Sequence, residues 1–187
     1  MIDWSHVFSE ALPYSEFLDR YATQTQRLRW DAIHQKIELT SEQSRLLSSF
    51  TRRMPVLCLA GAWCGDCIHQ CPIFDHFSRQ SSVLELRFLD RDARTDVRNA
   101  LRINGGNRVP VVVFLSEDWH EVARYGERTL SIYRRLATEQ LGPACPTGLT
   151  PPQPDTLQLA ISEWLDEFER AHLILRLSPR LREIYRD

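Results

Sequence analysis

Cys64 and Cys67 bracket Gly65 and Asp66, and Cys71 follows one helical turn later. Two thiols three residues apart on a helix lie one above the other. A mixed disulfide formed on the first sulfur can then be resolved by the second. The pair follows a short continuous apolar run, Pro55-Val56-Leu57-Cys58-Leu59-Ala60, and a turn, Gly61-Ala62-Trp63. A cysteine where a strand gives way to a helix faces unpaired backbone N–H groups and the positive end of the helix dipole. Both stabilise a thiolate. Asp66 acts in two directions. Its carboxylate repels a thiolate on Cys64, yet it supports the first turn of the helix. The repulsion, where it prevails, predicts a more reducing couple.

The other cysteines carry weaker signals. Cys58 sits mid-strand among apolar residues and reads as core. Cys71 reads as a small buried residue before Pro72, and its spacing also suits a third redox thiol that accepts the disulfide or a metal. Cys145, in Ala144-Cys145-Pro146, reads as a free loop thiol unless the loop folds over the active pair. The string Cys64-x2-Cys67-x3-Cys71-Pro72 matches the end of a bacterial ferredoxin cluster motif, but the leading position holds Gly61. A zinc set that adds His69 fails on geometry, because that ring projects roughly a hundred degrees or more around the helix from Cys67 and Cys71. No metal and no cofactor beyond the dithiol pair is expected. His69 and His76 read as solvated, and Arg108 as a loop arginine able to offer a cation to an acidic substrate.

These residues need a frame. From Met54 to Gln140 the pattern is strand, helix, strand, helix, strand, strand, helix. Val83–Leu89, Val109–Leu115 and His120–Tyr125 supply the later strands, and Asp92 is expected to cap a helix over Ala93–Ile103. The first half requires a parallel crossover and the second a hairpin, which makes an α/β fold with a mixed sheet. Residues 1–53 read as helices. Phe17, Leu18, Tyr21, Leu28, Ile33, Ile37 and Leu39 recur at helical spacing, and Thr40-Ser41-Glu42-Gln43 fits a capping box. Residues 141–187 read as a proline-rich loop followed by two helices, the first capped by Asp155 and the second opened by Ser178-Pro179. The expected organisation is one domain over 1–187, with a core at 54–140 and helical extensions on both sides.

Composition bounds the partners. The chain has 187 residues, a net charge of −2, 43% hydrophobic and 26% charged residues. It therefore has no basic field to gather nucleic acid or anionic lipid. Lys36 is the only lysine, so nearly all positive charge is arginine. The apolar run Val109–Leu115 is of strand length, and no stretch approaches the length of a membrane span. The first residues carry no basic segment ahead of an apolar stretch, so a cytoplasmic protein is expected. In reducing cytosol a cysteine cluster is more often catalytic or metal-binding than structural.

Trp63-Cys64-Gly65-Asp66-Cys67, Pro72 eight residues after the first cysteine, and Val109-Pro110 at the third strand together resemble the thioredoxin family. The resemblance implies a thioredoxin-like fold over about 54–140 and a thiol–disulfide oxidoreductase that reduces protein or small-molecule disulfides. It makes Cys64 the nucleophile and Cys67 the resolving thiol. Trp63, Gly65, Asp66, Val109 and a cis Pro110 become the substrate-facing surface. It implies a disulfide-containing substrate and an upstream reductase as partners. Two departures stand out. Cys58 occupies the position of the family's buried acid, and Asp66 replaces a common proline. With the acid lost, an alternative is a non-catalytic module on the same scaffold, whose helical flanks bind a protein partner.

Overall fold

The computed structural model describes residues 2–141 and 156–186. The expected loop at 141–154, with Cys145 and Asp155, lies outside the described residues apart from Leu141.

Four short helices open the chain: α1 (Trp4–Glu10), α2 (Tyr14–Tyr21), α3 (Gln24–His34) and α4 (Ser41–Ser48). Their starts follow from local chemistry. Asp3 caps α1 by accepting from the His6 N–H, and Pro13 precedes α2. Thr23 with Gln26, and Thr40 with Gln43, form reciprocal capping boxes on α3 and α4. Phe17, Leu18 and Ile37 are buried as their spacing predicts, whereas Leu28 is 64% exposed. The break at Thr23 restarts the helical phase and turns Leu28 outward.

The sheet contains β1 (Met54–Ala60), β2 (Leu84–Asp90), β3 (Val111–Leu115) and β4 (Glu121–Gly126), in the order β2-β1-β3-β4. β1 runs parallel to β2 and antiparallel to β3, and β3–β4 is an antiparallel hairpin. Every residue of β1 and β3 is buried, which explains their unbroken apolar runs. α5 (Gly65–Gln80) makes the crossover from β1 to β2, and α6 (Thr95–Ala100) connects β2 to β3. The outer edge of β2 is partly covered: Leu12 forms an antiparallel bridge to Phe88, with N···O distances of 2.9 and 2.7 Å. After β4 come α7 (Leu130–Leu141), α8 (Thr156–Arg176) and α9 (Pro179–Tyr185), the last capped by Ser178. α8 seals the hairpin side of the sheet, with Phe168 in edge contact with Phe77 and Phe114.

Two expectations are corrected. Asp92 does not cap α6; Arg94 stands at the cap without a side-chain bond, and Asp92 pairs with Arg91 and Arg98 instead. His76 is not a solvated residue. It is half-buried against His34, its ring 4.2 Å from the His34 ring, while His34 bonds Asp75 at 2.8 Å. Among the described residues no helix is long and apolar enough to cross a membrane.

Candidate active site

The site forms where β1 hands over to α5. Trp30 of α3 is fully buried, and its indole N–H donates to the Ala62 carbonyl at 2.9 Å, pinning the turn from behind. Gly61 leaves room there. A Cβ on it would stand 2.8 Å from Cε2 of Trp63, so the missing side chain lets the indole fold back over the turn. Trp63 is 49% exposed, and the Arg91 guanidinium lies 4.5 Å over its ring.

Cys64 is the N-cap residue of α5, and its side chain makes no capping bond. Its sulfur stays partly exposed and donates to the Val109 carbonyl at 3.7 Å. Cys67, one turn on, is fully buried, and its sulfur accepts the Gly61 N–H at 3.4 Å. The two sulfurs share one negative charge. Interaction with the Cys67 thiol, followed by burial, pushes Cys64 up. Burial also pushes Cys67 up, but hydrogen bonds from the Cys64 and Cys71 thiols and the Gly61 N–H outweigh it and leave Cys67 lowered. Of the coupled pair, Cys64 is the partly exposed sulfur and Cys67 the buried one.

Val109 and Pro110 stand directly before β3, and the peptide between them is cis. Both are buried at the floor of the site. Gly126 of β4 packs against them: a Cβ there would lie 2.4 Å from the Pro110 carbonyl oxygen. The next peptide, Gly126–Glu127, is also cis.

Asp66 does not stand alone beside the thiols. Arg128 clamps it bidentately, Nε to Oδ1 at 2.9 Å and Nη2 to Oδ2 at 2.7 Å. The same guanidinium reaches Glu127 at 3.3 Å. Glu127 is buried, accepts from the Tyr133 hydroxyl at 2.9 Å, and lies 3.9 Å from Arg108. Gln70 ties this cluster to α5. Its amide N–H donates to the Glu127 carbonyl at 2.9 Å and the Asp66 carbonyl at 3.3 Å. Its amide oxygen accepts from the indole of Trp164 in α8 at 2.9 Å. Arg128 therefore offsets the repulsion that Asp66 exerts on the pair.

The structure thus brings Trp63, Cys64, Gly65, Asp66, Cys67, Val109 and Pro110 together. Trp30, Gln70, Arg91, Gly126, Glu127, Arg128 and Trp164 escaped the sequence reading. The position of Glu127-Arg128 at the end of a hairpin leading back to Pro110 was the one available signal. Cys58 and Cys71 are fully buried, as core residues would be. His69 is exposed, apart from the buried sulfurs. Among the described residues no group of three or more His, Cys, Asp and Glu side chains is arranged to hold a metal ion.

A family model described as thioredoxin matches residues 11–140. The match begins well before Met54, so most of the N-terminal helical segment falls within the family region. No curated protein matches the sequence. A crystal structure of a protein of unknown function, PA1234 from Pseudomonas aeruginosa, is similar with a TM-score of 0.71 at 23% identity, over 91% of this chain and 99% of that one. An HIV epitope scaffold is similar with a TM-score of 0.69 at 20% identity, over 90% of this chain and 99% of that one. These likenesses extend the shared fold through the helical flanks. By its sequence match and by its mixed sheet with the dithiol at the head of α5, the chain belongs to the thioredoxin family.

Proposed function

We propose that the protein is a thiol–disulfide oxidoreductase that reduces disulfides of protein or small-molecule substrates through Cys64 and Cys67. The observation that carries this reading is the reachable Cys64 sulfur at the N-terminus of α5, with Cys67 buried one turn below it. The Cys64 sulfur attacks a substrate disulfide as its proton passes to the Cys67 sulfur beside it; one substrate sulfur leaves as a thiolate and the other stays bound to Cys64. Cys67 then attacks Cys64, the Cys64–Cys67 disulfide forms, and the second substrate sulfur leaves with its electron pair. Trp63, Gly65 and Asp66 flank the incoming disulfide, while Val109 and Pro110 present backbone groups to an extended substrate segment. A cellular reductase, in a reducing compartment such as the cytoplasm, returns the pair to the dithiol. The test is insulin reduction with dithiothreitol. The wild type accelerates it, and Cys64→Ser falls to the uncatalysed rate. A wild type no faster than dithiothreitol alone overturns the proposal.

A second reading has one observation in its favour. Leu173, Ile174, Leu177, Ile184 and Tyr185 of the C-terminal helical segment are exposed apolar residues. Such a surface suits a scaffold that binds a protein through its flank. Partner capture unaffected by Cys64→Ser supports that reading.

A further inference from the structure

Behind the reactive pair lies a second pair of sulfurs that the proposed cycle does not use. Cys58 on β1 and Cys71 on α5 face each other with their sulfurs 3.7 Å apart. Both are fully buried. Apart from a 4.0 Å contact to the Leu59 carbonyl, the Cys58 thiol has Cys71 as its hydrogen-bonding neighbour. Cys71 in turn interacts with the Cys67 thiol, and Cys67 with the Cys64 thiol. The four sulfurs form a continuous file from the surface to the middle of the sheet, in the order Cys64, Cys67, Cys71, Cys58.

We propose that Cys58 and Cys71 are a second, internal redox dithiol, oxidised by exchange with the Cys64–Cys67 disulfide and not by any oxidant from solvent. The proposal rests on the thiol–disulfide chemistry assigned above to Cys64 and Cys67. In the first step the Cys71 sulfur attacks Cys67; the Cys67–Cys71 bond forms, the Cys64–Cys67 bond breaks, and Cys64 leaves with the electron pair. In the second step Cys58 attacks Cys71; the Cys58–Cys71 bond forms and Cys67 leaves with the electron pair. Of the two protons given up by Cys71 and Cys58, one stays with the outer pair, which keeps one negative charge, and one passes to solvent; no electrons are gained or lost overall. The oxidising equivalent is the substrate disulfide that first oxidised the outer pair.

Two physical effects favour the inward direction. A disulfide is uncharged and suits the apolar interior, where burial opposes ionisation of Cys58 and Cys71. The released outer thiols regain the helix N-terminus and the Gly61 N–H, which stabilise a thiolate there. Burial also makes Cys67 the route of access, because the inner sulfurs expose no surface to a dissolved oxidant. The consequence is storage. After one substrate disulfide has been reduced, the outer dithiol is restored without the external reductase and can reduce a second.

The test counts disulfides after oxidation of the reduced full chain with excess oxidised glutathione. The reaction is quenched in acid, the chain is unfolded, free thiols are alkylated, and trypsin is added without reductant. Residues 54–79 form one tryptic segment carrying all four cysteines, so its mass reports how many were alkylated. The proposal predicts that this segment ends with no alkyl groups and that fragmentation after chymotryptic cleavage at Trp63 places a bond between Cys58 and Cys71. In Cys67→Ser the file is cut: Cys64 carries glutathione, and Cys58 and Cys71 are both alkylated. A wild-type segment that stops at two alkyl groups, on Cys58 and Cys71, overturns the inner dithiol while leaving the outer one standing. A Cys58–Cys71 bond that forms equally well in Cys67→Ser overturns the exchange route. No Cys64–Cys67 bond at any stage overturns both this proposal and the function on which it rests.

Discussion

Gly126→Ala tests whether Pro110 must sit where it does. A Cβ at Gly126 would lie 2.4 Å from the Pro110 carbonyl oxygen and 3.1 Å from Cα of Val111. Both contacts are to backbone, so no flexible side chain can swing aside. A comfortable separation is about 3.5 Å, so the β3–β4 ladder at its Val111–Gly126 pair must open by about 1 Å. Overpacking of this kind costs ~1–3 kcal/mol. The displaced atoms belong to the segment assigned to hold the substrate, and a misplacement of about 1 Å can lower a rate by ~100-fold. Gly126→Ala is therefore expected to fold with a lower urea midpoint and to reduce insulin roughly 10- to 100-fold more slowly than wild type. Alkylation of Cys64 by iodoacetamide is expected to stay within about twofold, because the N-terminus of α5 is untouched. Wild-type insulin reduction by a variant whose stability has fallen refutes the assignment of Pro110 as a substrate rest. Unchanged stability and activity together refute the packing argument itself.

Three further outcomes follow from the same geometry. Arg128→Ala leaves the Asp66 carboxylate uncompensated beside the thiols, which disfavours the reduced thiolate. The couple is expected to become more reducing by about 20 mV, on the order of 1 kcal/mol, in a glutathione redox titration, and an unchanged or less reducing potential contradicts the role given to Arg128. Trp30→Phe leaves the buried Ala62 carbonyl without its donor and is expected to cost ~1–3 kcal/mol of stability by urea denaturation, with a slower insulin reduction; no loss of stability contradicts the pinning of the turn. His172 is buried, stacks on Phe50 and accepts the N–H groups of Thr51 and Arg52, and burial, with Arg176 and Arg52 nearby, lowers it from 6.5 to about 4. The unfolded chain therefore binds this proton more readily. The stabilisation is complete above about pH 6.5 and is lost as pH falls from there toward 4. Between pH 7 and 4.5 the wild type should lose on the order of 2 kcal/mol more than His172→Gln, and equal losses contradict the burial argument.

Local signals in the sequence translated into structure most faithfully. The capping box at Thr40 and Gln43, the doubly buried strand through Cys58, and the hairpin of β3 and β4 each depend on neighbouring residues or on a simple period. The dithiol was legible for the same reason, since strand end, turn and helix start are contiguous. What escaped were interactions between side chains remote in sequence. Arg128 and Asp66 are sixty-two residues apart, Trp30 and Ala62 thirty-two, and Trp164 and Gln70 ninety-four. Nothing in their local spacing announces those pairings. The misreadings have the same origin. Asp92 is a plausible cap on local grounds, but two arginines compete for its carboxylate. His76 looks solvated until α3 is placed against α5 and His34 covers it. The helical extensions, which read as additions to a core at 54–140, contribute Trp30 and Trp164 to the support of the active turn.

The most direct test of the central claim is trapping with Cys67→Ser. Once the resolving thiol is gone, a disulfide-bonded peptide substrate should remain covalently attached, and mass spectrometry should place the new bond on Cys64. Cys64→Ser/Cys67→Ser should form no such adduct. An adduct that maps to another cysteine, or none while the wild type still reduces the same peptide, contradicts the assignment of Cys64 as nucleophile and Cys67 as its resolving partner.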